Sequence, residues 1–177
     1  LPLVVPSHTT LYGDGPVSAV RVANNGPDYL ALFAGPPAGA AVGAGFVENV
    51  CVRNLRFDLN ATGNGAKAPG AQSWFIALLF FNARNLTVEG CQFDGCFGTQ
   101  TVDLGGDVLR VARCTFRFAP VGASWYDNSA VYLDGRELTV CDNTFVAGDP
   151  SGAAAAVTAI EVHRGPALVS GNVIDGN

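Results

Sequence analysis

Val50 to Phe57 reads VCVRNLRF, and the same arrangement returns as LTVEGCQF from Leu86, LRVARCTF from Leu109, LTVCDNTF from Leu138 and ALVSGNVI from Ala167. Counting the first residue of each copy as zero, apolar residues occupy positions zero and two, a small or polar turn residue position five, and Phe or Ile position seven. Position two is Val52, Val88, Val111, Val140 and Val169, and position seven is Phe57, Phe93, Phe116, Phe145 and Ile174. Position five reads Leu55, Cys91, Cys114, Asn143 and Asn172. Successive copies start 36, 23, 29 and 29 residues apart, so a constant template alternates with a connection of variable length.

A second apolar pair precedes four of the copies: Leu79 and Phe81, Val102 and Leu104, Val131 and Leu133, Ile160 and Val162. Alternation at period two over so short a stretch specifies a strand. Each repeat therefore predicts a strand, a short turn, a second strand, a sharp turn and a third strand. A unit this small cannot bury its apolar face alone, but stacked units bury a continuous core. The expected fold is all-β, a solenoid with interior ladders of Val, of Phe and of Asn or Cys at the ~4.8 Å spacing of paired strands. Asn suits position five because its amide can bond the turn of the neighbouring coil and because Asn tolerates left-handed backbone. A leucine-rich repeat has a similar motif, but it wants a Leu three residues before the template, where this chain has Ala83, Gly106, Gly135 and Arg164.

Composition agrees with one packed domain spanning 1–177, its first coils (1–46) irregular. The chain has 177 residues, 49% hydrophobic and 14% charged, which excludes disorder. The 22 Gly and 10 Pro are spread along it, as many short strands and turns require. The longest apolar run, Trp74 to Phe81, is far short of the ~20 residues of a membrane-spanning helix. A net charge of −5 argues against nucleic acid as a partner, whose electrostatic footprint is basic. The opening LPLVVPSHTT lacks the pattern of a signal peptide, and Met is absent, which leads to the expectation of a piece of a longer helix.

These five copies, with LYGDGP at Leu11 to Pro16, resemble the right-handed parallel β-helix proteins of the pectate lyase-like superfamily. The resemblance implies a single-stranded right-handed parallel β-helix. It leaves function open, because that superfamily includes lyases, glycoside hydrolases, epimerases, phage tailspikes and adhesins. The first copy departs from the pattern, with Gly43 and Gly45 at the upstream apolar positions and AGPPAGAAVGAGF reading as an inserted loop.

Five cysteines leave at least one thiol unpaired within the chain. Cys91 and Cys114 share a column in adjacent repeats, near enough for a bridge, although buried thiols also stack there unbonded. No C-x-x-C occurs and His8 and His163 are the only histidines, so neither a metal site nor a cofactor is expected.

Residues between the paired apolar positions of the first strand point outward. One outward column is Phe80, Asp103, Tyr132 and Glu161, and the next is Asn82, Gly105, Asp134 and His163. Asp103, Tyr132, Asp134, Glu161 and His163 are thus the candidate catalytic residues. Asp103 and Glu161 would stand about 10 Å apart, near the upper separation of an inverting carboxylate pair. Asp134, one coil from His163, would orient its imidazole. Tyr132 and His163 also suit the acid and base of β-elimination, a pairing that the resemblance brings with it. Trp125, Tyr126 and Arg164 are the candidate substrate-binding residues, the aromatics offering faces to sugar rings. Together these predict an extracellular or cell-surface protein that binds a polysaccharide, as part of a lyase or glycoside hydrolase. The competing class is a non-catalytic adhesin, tailspike or fibre domain, for which a homotrimer or a stacking surface is the mark.

Overall fold

The computed structural model describes residues 3–26, 29–34, 47–64, 74–97, 100–119, 129–147 and 158–175. They form fifteen strands and one short helix, α1 (Ala61–Asn64). The strands are β1 (Leu3–Val4), β2 (Thr10–Tyr12), β3 (Ala19–Arg21), β4 (Tyr29–Ala34), β5 (Val47–Arg53), β6 (Arg56–Asp58), β7 (Trp74–Glu89) and β8 (Gln92–Cys96). They continue with β9 (Gln100–Ala112), β10 (Thr115–Phe118), β11 (Ser129–Cys141), β12 (Thr144–Val146), β13 (Thr158–His163), β14 (Ala167–Ser170) and β15 (Val173–Asp175). Strands β3, β6, β8, β10, β12 and β15 make a six-stranded sheet and the others a nine-stranded sheet. Every pairing is parallel, and the chain alternates between the sheets, adding a neighbouring strand to each as it goes.

The template columns are the register of these pairings. Val50, Leu86, Leu109, Leu138 and Ala167 lie side by side. So do Phe57, Phe93, Phe116, Phe145 and Ile174. The four phenylalanine rings stack with centroids 5.0, 4.7 and 5.0 Å apart and are fully buried. Each such side chain contributes roughly 1.5–3 kcal/mol of burial. In the last repeat the same columns surface, with Val169 49% and Ile174 64% exposed.

Two corners recur, one in all five copies and one in the first four, and both use left-handed backbone. One lies at template position four: Asn54, Gly90, Arg113, Asp142 and Gly171 all have φ between 53° and 64°. The expectation had placed this conformation at the position-five Asn. Asn143 and Asn172 instead bond across repeats. Asn143 Oδ1 accepts from Cys114 N at 2.9 Å and its Nδ2 donates to Val111 O at 3.1 Å, while Asn172 Oδ1 accepts from Asn143 N at 3.0 Å. The other corner lies just before position zero, at Asn49, Asn85, Val108 and Glu137, with φ of 55–57°. There the first and second strands of the expectation run on as one long strand in β7, β9 and β11.

Two further expectations are corrected. In β7 the inward residues are Leu78 and Phe80, paired with Val102 and Leu104, whereas Leu79 lies beside Asp103 and Phe81 is 48% exposed. The register slips between Phe80 and Ala83, so counting back from Leu86 reverses the faces. The upstream strand of the first copy is not missing either. It is β4, whose Ala31 and Phe33 pair with Ile76 and Leu78. The proposed insertion at 34–46 falls, apart from Ala34, outside the described residues. No helix among the described residues is long and apolar enough to cross a membrane.

Candidate functional site on the outer face of the nine-stranded sheet

Alternation along β11 buries Val131 and Leu133 and turns Tyr132 and Asp134 outward. Register then sets Asp103, Tyr132 and Glu161 directly beside one another on β9, β11 and β13. Gly105, Asp134 and His163 form the adjacent column. All five candidate catalytic residues therefore share one face. Asp103 and Glu161 are two strand spacings, about 10 Å, apart. Asp103 is nonetheless buried, at 8% exposure.

The partners differ from those expected. Glu161 Oε1 is 2.7 Å from His163 Nε2, and the Tyr132 and His163 rings pack with centroids 4.9 Å apart. Asp134 does not orient His163. Its carboxylate is held bidentately by Arg164, whose Nη2 donates to Oδ2 at 2.6 Å. Sequence reading missed this because Arg164 follows His163 in a turn, with φ of 59°, that swings its side chain back across the strand. Asp134 in return raises the Arg164 pKa, chiefly through that hydrogen bond.

A cleft of about 350 Å³ opens beside this group. Phe81, Asn82, Asp107, Asp134, Arg136 and Arg164 line it. Arg136 Nε and Nη2 donate to the two Asp107 oxygens at 2.9 and 2.7 Å, holding the Asp107 carboxyl below the usual carboxylate range. Phe81 supplies the exposed aromatic. Trp125 and Tyr126, expected in that role, lie outside the described residues. Arg164, the third candidate substrate-binding residue, lines the cleft.

Among the described residues no group of three or more His, Cys, Asp or Glu is placed to hold a metal ion. No protein-family profile, no curated protein and no solved structure matches the chain.

Proposed function

We propose that the chain is a right-handed single-stranded parallel β-helix that binds an acidic polysaccharide across the outer face of its nine-stranded sheet and cleaves it by β-elimination. Handedness is supported by a general rule: crossovers between parallel strands of one sheet are right-handed in about 98% of cases. The observation that carries the functional reading is the contact of Tyr132 with His163 and of His163 with Glu161, beside a cleft holding an exposed aromatic and two guanidinium groups.

The chemistry follows from those groups. Arg164 and Arg136 each use two of five N–H donors on a carboxylate, which leaves donors for the carboxylate of a uronate ring. That pairing makes the proton on the adjacent sugar carbon more acidic. His163, held by Glu161, removes it, and the electron pair forms the C=C bond as the glycosidic C–O bond breaks. Tyr132 gives its proton to the departing oxygen. Phe81 offers its face to a neighbouring ring. An acidic polysaccharide as substrate goes with the extracellular or cell-surface location.

The test is incubation with a panel of acidic and neutral polysaccharides, following both the absorbance of unsaturated products and the appearance of reducing ends. Unsaturated ends from an acidic substrate are the expected result. Reducing ends without unsaturation would replace elimination by hydrolysis through Asp103 and Glu161. Binding or trimerisation with no product would leave the adhesin or fibre reading in its place.

A further inference from the structure

The six-stranded sheet carries a second cleft, on outward positions that flank the buried phenylalanine column. Register runs Arg21, Asp58, Asp94 and Arg117 across β3, β6, β8 and β10, and Arg56 stands two residues before Asp58. Arg21 and Arg117 are thus three strand spacings, about 14 Å, apart. Together with Asn60 and Gln92 these residues line a cleft of about 500 Å³.

Its charges are layered. The Asp94 and Asp58 side chains are 16% and 24% exposed, while Arg56, Arg117 and Arg21 are 39%, 48% and 63% exposed. Arg56 Nε donates to Asp94 Oδ2 at 2.6 Å and Arg117 Nη1 to Asp94 Oδ1 at 3.1 Å. Arg21 Nη2 donates to Asn60 Oδ1 at 2.9 Å, with its Nε 3.3 Å from Asp58 Oδ2. The carboxylates thus anchor three guanidinium groups from below, and at most two of the five N–H donors on each are engaged. Three cations over two anions leave a positive surface on a chain whose net charge is −5.

We propose that this cleft binds the carboxylate or sulfate groups of an extended acidic glycan, as a site separate from the sheet face described above. The guanidinium fork matches both oxyanions. Three cations drawn from strands whose backbones span about 14 Å suit a chain carrying several charges better than a single small ion. Gln92 Nε2 donates to the two Asp94 oxygens at 2.9 and 2.7 Å and the buried Asn60 amide is bonded to Val22 O, Asn24 and Arg21, so both brace the floor beneath the cations. The overall negative charge disfavours a nucleic-acid backbone, which demands a basic footprint.

Dextran sulfate is the probe, with uncharged dextran and a single-stranded oligothymidine as comparisons, in calorimetric titrations at two salt concentrations. Parent protein should bind dextran sulfate, more weakly at the higher salt, and dextran not at all. Arg21→Gln combined with Arg117→Gln should weaken binding on the order of tenfold or more. Both side chains are largely exposed, and circular dichroism with a thermal midpoint checks that the variant folds; Arg117→Lys, keeping the charge, should retain part of the affinity. Arg53→Gln, which removes an exposed cation on β5 outside both clefts, should leave this binding intact, and the readout is binding alone, so failure of the elimination reading does not touch it. Unchanged affinity in the double variant, an equal loss in Arg53→Gln, or no binding by the parent would overturn the site. Oligothymidine held as tightly as dextran sulfate would overturn its assignment to a glycan.

Discussion

Glu161 and His163 sit two residues apart on one strand with Oε1 and Nε2 2.7 Å from each other, while Asp134, beside His163 on the neighbouring strand, is bound to Arg164. The carboxylate that governs the imidazole is therefore the one from its own strand. In the proposed elimination, His163→Ala or Tyr132→Phe should lower turnover by about 10²- to 10⁴-fold, the usual contribution of a positioned acid or base. Glu161→Gln should lower kcat by less and leave KM near its original value. Asp134→Asn should release Arg164 and act mainly on KM. Initial rates from product absorbance separate these, and a kcat loss in Asp134→Asn as large as in Glu161→Gln would reverse the assignment.

The stacked rings give the clearest stability prediction. Phe116 lies between Phe93 and Phe145 at 4.7 and 5.0 Å, and no part of its side chain reaches solvent. Phe116→Ala should cost about 3 to 5 kcal/mol, the transfer term plus a cavity its rigid neighbours cannot fill. Val17, 85% exposed, should tolerate Ala within about 0.5 kcal/mol. Denaturant midpoints at constant m-value measure both. Equal costs would mean that the column is not the core.

What the sequence disclosed depends on where polar residues mark a face. The template columns were legible because five copies repeat the same apolar spacing, and Asp103, Tyr132 and Glu161 followed from period two. In β7 the run from Trp74 to Phe81 has no polar residue to tell inside from outside, so one slipped residue reversed the faces without leaving a trace. The corner at position four had a signal that was overlooked. Asn54, Gly90, Asp142 and Gly171 are all types that accept left-handed backbone, and only Arg113 obscures the column. The arginine cleft was equally readable as Arg and Asp at positions six and eight, on either side of the Phe.

The residues that argued against a leucine-rich repeat now have a physical explanation. Ala83, Gly106 and Gly135 share a column, and a Cβ on Gly106 would run into the Ala83 carbonyl oxygen, as one on Gly135 would into that of Gly106. Gly106 also has φ of 142°. Backbone of neighbouring repeats touches here, and only a missing side chain permits it. Gly135→Ala should cost about 3 kcal/mol or more, since strand backbone must move apart in two repeats. A thermal midpoint within a degree of the parent would show that the repeats do not approach so closely.

The thiols provide the last test. All five cysteines are unbridged, although Cys91 and Cys114 occupy adjacent places in one column. Burial pushes the Cys114 thiol well above its ordinary range and that of Cys96 up to about 12, while a hydrogen bond with Cys114 lowers that of Cys91. Alkylation needs a thiolate that the reagent can reach, so Cys96 and Cys114 are protected by both protonation and burial, and Cys91 and Cys141 by burial. Of the five, Cys51 is the one that is not buried. Native protein treated with iodoacetamide at neutral pH and without reductant should therefore gain one rapid adduct, at Cys51, by mass spectrometry. Unfolded in guanidinium, still without reductant, it should gain five. Three adducts with Cys91 and Cys114 unmodified would mean that the column is cross-linked, and the thiol ladder would have to be replaced by a disulfide joining two repeats.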